Sequence, residues 1–134
     1  MASSRSLPQR LILDSGAVIG WSRGDARIRA VLRQALARHL KLRVPVVVLA
    51  ETLRGGPCDA PVNRVLKAVG AAPTTPTTAR DAGQLLGRTG GSNTADALVA
   101  AAALAIPGST ILTSDPDGLR TLLADQPSIE VRAV

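Results

Sequence analysis

The chain has 134 residues, enough for one domain with one core. Apolar residues make up 46% of it, yet Phe and Tyr are absent and Trp21 is alone, which excludes single-strand binders of the RRM or OB type that stack bases on aromatic side chains. One cysteine, Cys58, and one histidine, His39, exclude an intrachain disulfide, a CxxC zinc site and paired-histidine metal motifs, while a net charge of +6 carried mostly by arginine suits a polyanionic partner.

Arginine-rich composition can also reflect GC-rich coding, so the charge alone does not assign a partner. Any metal must be hard and oxygen-liganded, given the residues on offer. The longest uncharged apolar run, residues 97–106, is shorter than the ~20 residues that span a bilayer, so a cytoplasmic protein without membrane contact is expected. Residues 1–10 carry Ser, Pro, Gln and Arg without periodicity and are expected to form a flexible leader to a domain over residues 11–134.

Leu11, Ile12 and Leu13 form a short apolar run ended by Asp14-Ser15-Gly16, the pattern of a buried strand entering a loop and then a helical turn. Over residues 25–42 apolar side chains recur at Ile28, Val31, Leu32, Ala35, Leu36 and Leu40, which predicts an amphipathic helix with arginines on its other faces. Residues 44–49 are continuous and β-branched, hence a central strand with Pro45 near its start. Helix is expected over residues 50–54, placing Glu51 in the first turn after that strand, until Gly55-Gly56-Pro57 stops it.

A weaker helix follows over residues 61–69, then a short edge strand over 71–75 and a helix over 78–88 closed by Gly90-Gly91. Ser92 or Asn93 can cap a helix that runs to about Ile106, and Pro107-Gly108 ends it. Residues 110–113 are the next buried strand, 114–117 a loop, 119–124 a helix and 129–132 a last strand. Strands alternating with helices predict an α/β fold: a three-layer α/β/α arrangement around a parallel sheet of about five strands.

Ligand crevices in open parallel sheets lie outside the carboxyl ends of the strands, and three acids fall at such ends: Asp14, Glu51 and Asp115. A fourth, Asp96, opens a segment apolar on all faces, where a carboxylate is costly unless it is paired or ligates a metal. Singly, each acid also has a structural explanation, as a loop residue or as support for a helix dipole. Converging together, like charges raise one another's pKa, and Mg²⁺ or Mn²⁺ is the usual remedy for a set of oxygen ligands.

The order Leu-Ile-Leu-Asp14-Ser, Val-Val-Val-Leu-Ala-Glu51, Asn93-Thr-Ala-Asp96-Ala-Leu-Val-Ala and Ile-Leu-Thr113-Ser-Asp115-Pro-Asp117 resembles the PIN domain from Leu11 onward, the third and fourth motifs being the most specific. This resemblance implies a Mg²⁺- or Mn²⁺-dependent endoribonuclease cutting tRNA, rRNA or mRNA. It also implies a VapC-like toxin held silent by a small VapB-like antitoxin, and a homodimer. By the same resemblance Asp14, Glu51, Asp96 and Asp115 are the catalytic acids. Asp14, Asp96 and Asp115 are then metal ligands, Asp117 a variable fifth acid and Thr113 an auxiliary hydroxyl. Phosphodiester hydrolysis by metal ions needs no histidine, so His39 is expected to be a packing or surface residue on the edge of its helix's apolar stripe and Cys58 a loop residue.

Other enzyme classes fit less well. A haloacid-dehalogenase-like phosphatase needs a second Asp two residues after the first, where Gly16 stands, and a catalytic lysine, where only Lys41 and Lys67 exist, both on expected helix faces. No Gly-Lys-Ser/Thr P-loop and no G-x-S-x-G elbow is present. A non-catalytic PIN-like RNA-binding or scaffold protein would be expected to have lost one of the four acids, and a housekeeping PIN nuclease would lack the antitoxin.

Overall fold

The structure is a computed structural model and describes residues 10–134. Most of the expected leader, residues 1–9, lies outside the described residues, and Arg10 already belongs to the first strand. The strands are β1 (Arg10–Leu13), β2 (Lys41–Pro45), β3 (Gly70–Ala72), β4 (Ser109–Thr113) and β5 (Glu130–Ala133). They form a five-stranded, wholly parallel sheet in the order β3-β2-β1-β4-β5. Helices α1 (Ser15–Ser22), α2 (Ala26–Ala37), α3 (Val46–Thr52) and α4 (Ala60–Ala68) lie on the path from β1 to β3. Helices α5 (Pro76–Thr89) and α6 (Thr94–Leu104) return the chain to β4, and α7 (Pro116–Leu122) leads to β5.

Right-handed crossovers moving outward from β1 to β3, and then in the opposite direction through β4 to β5, put α1–α4 on one face of the sheet and α5–α7 on the other. Packing agrees, with α1 against α3 and α4, and α6 against α5, α7 and the central strands. Leu11, Ile12, Leu13, Ile111 and Leu112 fill the middle layer, almost fully buried, as strands covered on both faces require. The small side chains of α6 let it lie close on the sheet: Ala97, Ala100, Ala101 and Ala103 are all fully buried.

Three expected elements are corrected. The helix expected over residues 25–42 ends at Ala37, because His39 adopts a left-handed backbone (φ 62°) and turns the chain into β2. Pairing of Lys41 and Leu42 with Arg10 and Leu11 outweighs the local helical period, so Leu36 is left exposed while Leu42 is buried in the sheet. His39 is exposed, as expected, but beyond the helix rather than along its stripe.

The strand expected over residues 44–49 instead occupies Lys41–Pro45, and Val46, Val47 and Val48 begin α3. Pro45 has no N–H to extend the ladder and serves as the N-cap of the helix, while burial of Val48 offsets the modest helix propensity of valine. Glu51 therefore lies in the second turn of a helix, not the first. Lastly, the segment expected as a loop over residues 114–117 is shortened, since Pro116 starts α7 with the fixed φ that suits a first helical position. Asp115 becomes the N-cap residue and Asp117 a first-turn residue.

Candidate active site

The order of strands reverses between β1 and β4: from β1 the chain moves one way to β2 and β3, then returns to pair β4 against the other edge of β1. Such a switch point opens a crevice at the carboxyl ends of the two strands, because the connections that leave them diverge to opposite faces. Asp14 follows β1 and Asp115 follows β4, so both acids stand at this crevice. Asp96, in the first turn of α6, and Glu51, on α3, enter it from helices that pack on one another.

Asp14 is held on both oxygens. Its Oδ1 caps α1 by accepting from the Ala17 N–H at 3.0 Å, and its Oδ2 accepts from the Thr113 hydroxyl at the end of β4. Thr113 is fully buried, and its Oγ1 also accepts from the Asp115 N–H at 3.0 Å, so one hydroxyl ties the loops after both strands together. The two loops are pressed close: a Cβ at Gly16 would lie 1.9 Å from Ser114 Oγ.

Electrostatics bind the four acids into one set. Burial raises the Asp14 carboxyl above its ordinary range, against the hydrogen bonds from Thr113 and Ala17, and the charge of Asp115 raises it further. Asp96 is raised by burial, then by Asp14 and Asp115. Glu51 is exposed as a residue but stands at the crowded rim, where lost hydration and the charges of Asp96 and Asp14 raise it too. Among the described residues no arginine or lysine moves these three carboxyls.

Structural acids in the same chain behave differently. Asp59, more deeply buried than Asp96, accepts from the backbone N–H groups of Arg54 and Gly55 at 2.8–3.1 Å and braces the turn after α3. Asp25 caps α2 through the Ile28 N–H at 3.0 Å. By contrast, among the described residues no hydrogen bond to the Glu51 or Asp96 carboxylate forms, and Asp115 makes no capping bond although it occupies the cap position. Asp117 is exposed and is not among the charges that shift the other acids. Cys58 is exposed in a 3-10 turn, Pro57–Asp59.

Two residues of the site carry no signal in a pattern of acids. Gly118 on α7 approaches Asp96 so closely that a Cβ there would lie 2.7 Å from Asp96 Oδ2, and Gly16 makes the contact with Ser114 described above. Only the close approach of backbone, which local sequence does not encode, reveals them.

A donor set of carboxylates and a hydroxyl, partly desolvated at Asp14 and Asp96 and without a countercharge among the described residues that shift them, suits a hard divalent cation. Among the described residues no three acidic, histidine or cysteine side chains converge tightly enough to chelate an ion by themselves. Mg²⁺ does not require that, since it keeps several waters and binds through one or two carboxylates plus substrate phosphate.

No curated protein matches the chain in sequence. Among solved structures, the fold is similar to a chain of VapBC2 from Rickettsia felis bound to a promoter DNA fragment, with a TM-score of 0.72 and 15% identity over 92% of this chain and 98% of that one. DNA-bound VapBC from Salmonella typhimurium gives 0.70 and 15% over 92% and 97% of the two chains. VapBC-5 from Mycobacterium tuberculosis, a member of a family of toxin-antitoxin systems, gives 0.60 and 21% over 95% and 100%. The family model of the PIN domain matches residues 11–122, which include all four acids, and the chain belongs to the PIN-domain family.

Proposed function

We propose that the chain is a divalent-metal-dependent endoribonuclease and the toxin of a toxin-antitoxin pair. The observation that carries the nuclease reading is the placement of Asp14 and Asp115 after β1 and β4 at the switch point, with Asp96 and Glu51 near enough to feel neighbouring carboxylates and, among the described residues, no cation among the groups that shift Asp14, Glu51 and Asp96. Asp14, Asp96 and Asp115 would hold Mg²⁺ or Mn²⁺, which when bound supplies charge neutralisation for a phosphodiester and an activated water. Thr113 keeps Asp14 oriented by donating to its Oδ2, and the Asp115 N–H fixes the hydroxyl in turn. Glu51 at the rim, with a raised pKa, is suited to take or give a proton near the leaving or attacking oxygen.

The toxin assignment is supported by the VapBC systems among the similar folds and implies a small VapB-like antitoxin. Homodimerisation belongs to the same reading. No helix of the described residues is long and apolar enough to cross a membrane, which is compatible with action on cytoplasmic tRNA, rRNA or mRNA.

The test is cleavage by the purified chain, freed of any co-expressed small protein, on total tRNA and ribosomal RNA. Cleavage that requires Mg²⁺ or Mn²⁺, and that falls at least about 100-fold in Asp14→Asn, is the expected result. Asparagine can still cap α1, so the variant should fold. Cleavage that persists in EDTA, or an Asp14→Asn protein as active as the parent, would overturn the nuclease reading. Failure of any neighbouring small reading frame to co-purify or to silence growth arrest would overturn the toxin reading alone.

A further inference from the structure

On the α5–α7 side of the sheet, over β1, β2 and β3, lies a cavity of about 520 Å³ with Arg10, Arg43, Thr77, Thr78 and Asp81 on its walls. Arg43 is out of place by the logic of the sheet. It sits in the middle of β2, paired with Ile12 and Gly70 on a face that a parallel sheet normally fills with aliphatic side chains. Half-burying a guanidinium is costly without partners. Among the described residues Arg43 donates once, from Nη1 to the Leu42 carbonyl at 2.8 Å, which leaves most of its five N–H donors unused.

The fold makes room for this side chain. A Cβ at Gly70 would lie 2.8 Å from Arg43 Nη1 and 2.9 Å from Cζ, so the missing side chain on β3 is the seat of the guanidinium. Arg10, two residues before Ile12 on the same strand face, adds a second guanidinium. The cavity also reaches the N-terminal turn of the 14-residue α5, capped by Thr75, where the helix dipole adds positive potential. Against these stands one carboxylate, Asp81. Two forked donors favour the oxygens of phosphate, Asp81 and the threonine hydroxyls suit a hydroxylated body, and the volume lies within the range of small-molecule sites.

We propose that this cavity is a second ligand site, distinct from the acidic crevice, that takes a phosphomonoester of about mononucleotide size with its phosphate on Arg43 and Arg10. The inference does not depend on the nuclease reading. Calorimetry and amide NMR of the full chain in EDTA, with adenosine 5′-monophosphate as probe, test it. Saturable binding is expected, with shifts at Gly70, Ala71 and Thr77, at least tenfold loss for adenosine or for Arg43→Ala, and no change in Asp96→Asn. Gly70→Ala, whose Cβ meets only the far end of the Arg43 side chain, should weaken binding severalfold while the fold survives, and it serves if Arg43→Ala does not fold. A 5′-phosphorylated dinucleotide that binds as well as the monophosphate assigns the site to RNA ends, and one that is excluded assigns it to free nucleotides. Absence of saturation up to about 10 mM, equal binding of adenosine, or binding indifferent to both substitutions overturns the proposal.

Discussion

The hydroxyl of Thr113, the last residue of β4, donates to Oδ2 of Asp14, the first residue beyond β1, across 99 positions of sequence. The Thr113 hydroxyl oxygen in turn accepts from the Asp115 N–H, so a buried threonine ties the Asp14 carboxylate to the backbone at Asp115. An aliphatic residue of the same shape would leave Asp14 Oδ2 without its donor and the Asp115 N–H without an acceptor.

Thr113→Val should therefore lower stability by about 1–3 kcal/mol, the typical cost of stranding a buried polar partner, and should also lower nuclease activity. Thr113→Ser keeps the hydroxyl and should retain most of the activity. Urea denaturation alongside cleavage kinetics checks both. Equal activity in the valine and serine variants would show that the hydroxyl does not position Asp14.

Gly118→Ala should separate the site from the fold. In a helix, alanine is favoured over glycine by about 1 kcal/mol, so the melting temperature should hold or rise. The new Cβ collides with Asp96 Oδ2, however, and the carboxylate must move. Mn²⁺ affinity and cleavage should drop on the order of 10–100-fold, the usual range for disturbing the orientation of a metal ligand. Unchanged Mn²⁺ affinity would mean that Asp96 does not ligate.

The raised carboxyls make a signed prediction for pH. Asp14 and Asp96 lie above 3.8, and Glu51 above 4.5, in the folded chain. The metal-free folded state therefore binds protons more tightly than the unfolded chain, and this contribution to stability is present at low pH and lost as pH rises from those ordinary values through the folded ones. In EDTA, Asp96→Asn should melt above the parent at pH 7, with the gap closing as pH falls toward 4. Saturating Mn²⁺ should reverse the order, because only the parent gains binding energy. A gap that widens on acidification contradicts the assignment.

Arg27, Arg29, Arg33 and Arg38 are exposed on or just beyond α2. Replacing Arg29 and Arg33 together by alanine should weaken binding to RNA or to an antitoxin and flatten its dependence on salt by roughly two counterions if both contact phosphate. Filter binding of a catalytically silent Asp14→Asn background across a salt series reads this directly. Affinity and slope that both stay put would make this face merely solvated.

Much of the chain was legible in its sequence because the deciding energies are local. The run Leu11-Ile12-Leu13 before Asp14, a cap at Ser92 or Asn93 before an alanine-rich helix, and Pro107-Gly108 beyond its end each act within a few residues, through periodicity, capping and helix breaking. Those signals predicted the parallel sheet and, with the family resemblance, named Asp14, Glu51, Asp96 and Asp115 as candidates. Tertiary structure alone decided where α2 stops, since strand pairing at Lys41 and Leu42 outweighs a helical period that Leu40 would have continued. It also moved Glu51 from a strand end to the second turn of α3, brought the Gly118 backbone against Asp96, and seated Arg43 over Gly70. Each of these depends on contacts between residues far apart in the chain, whose energies no local window contains.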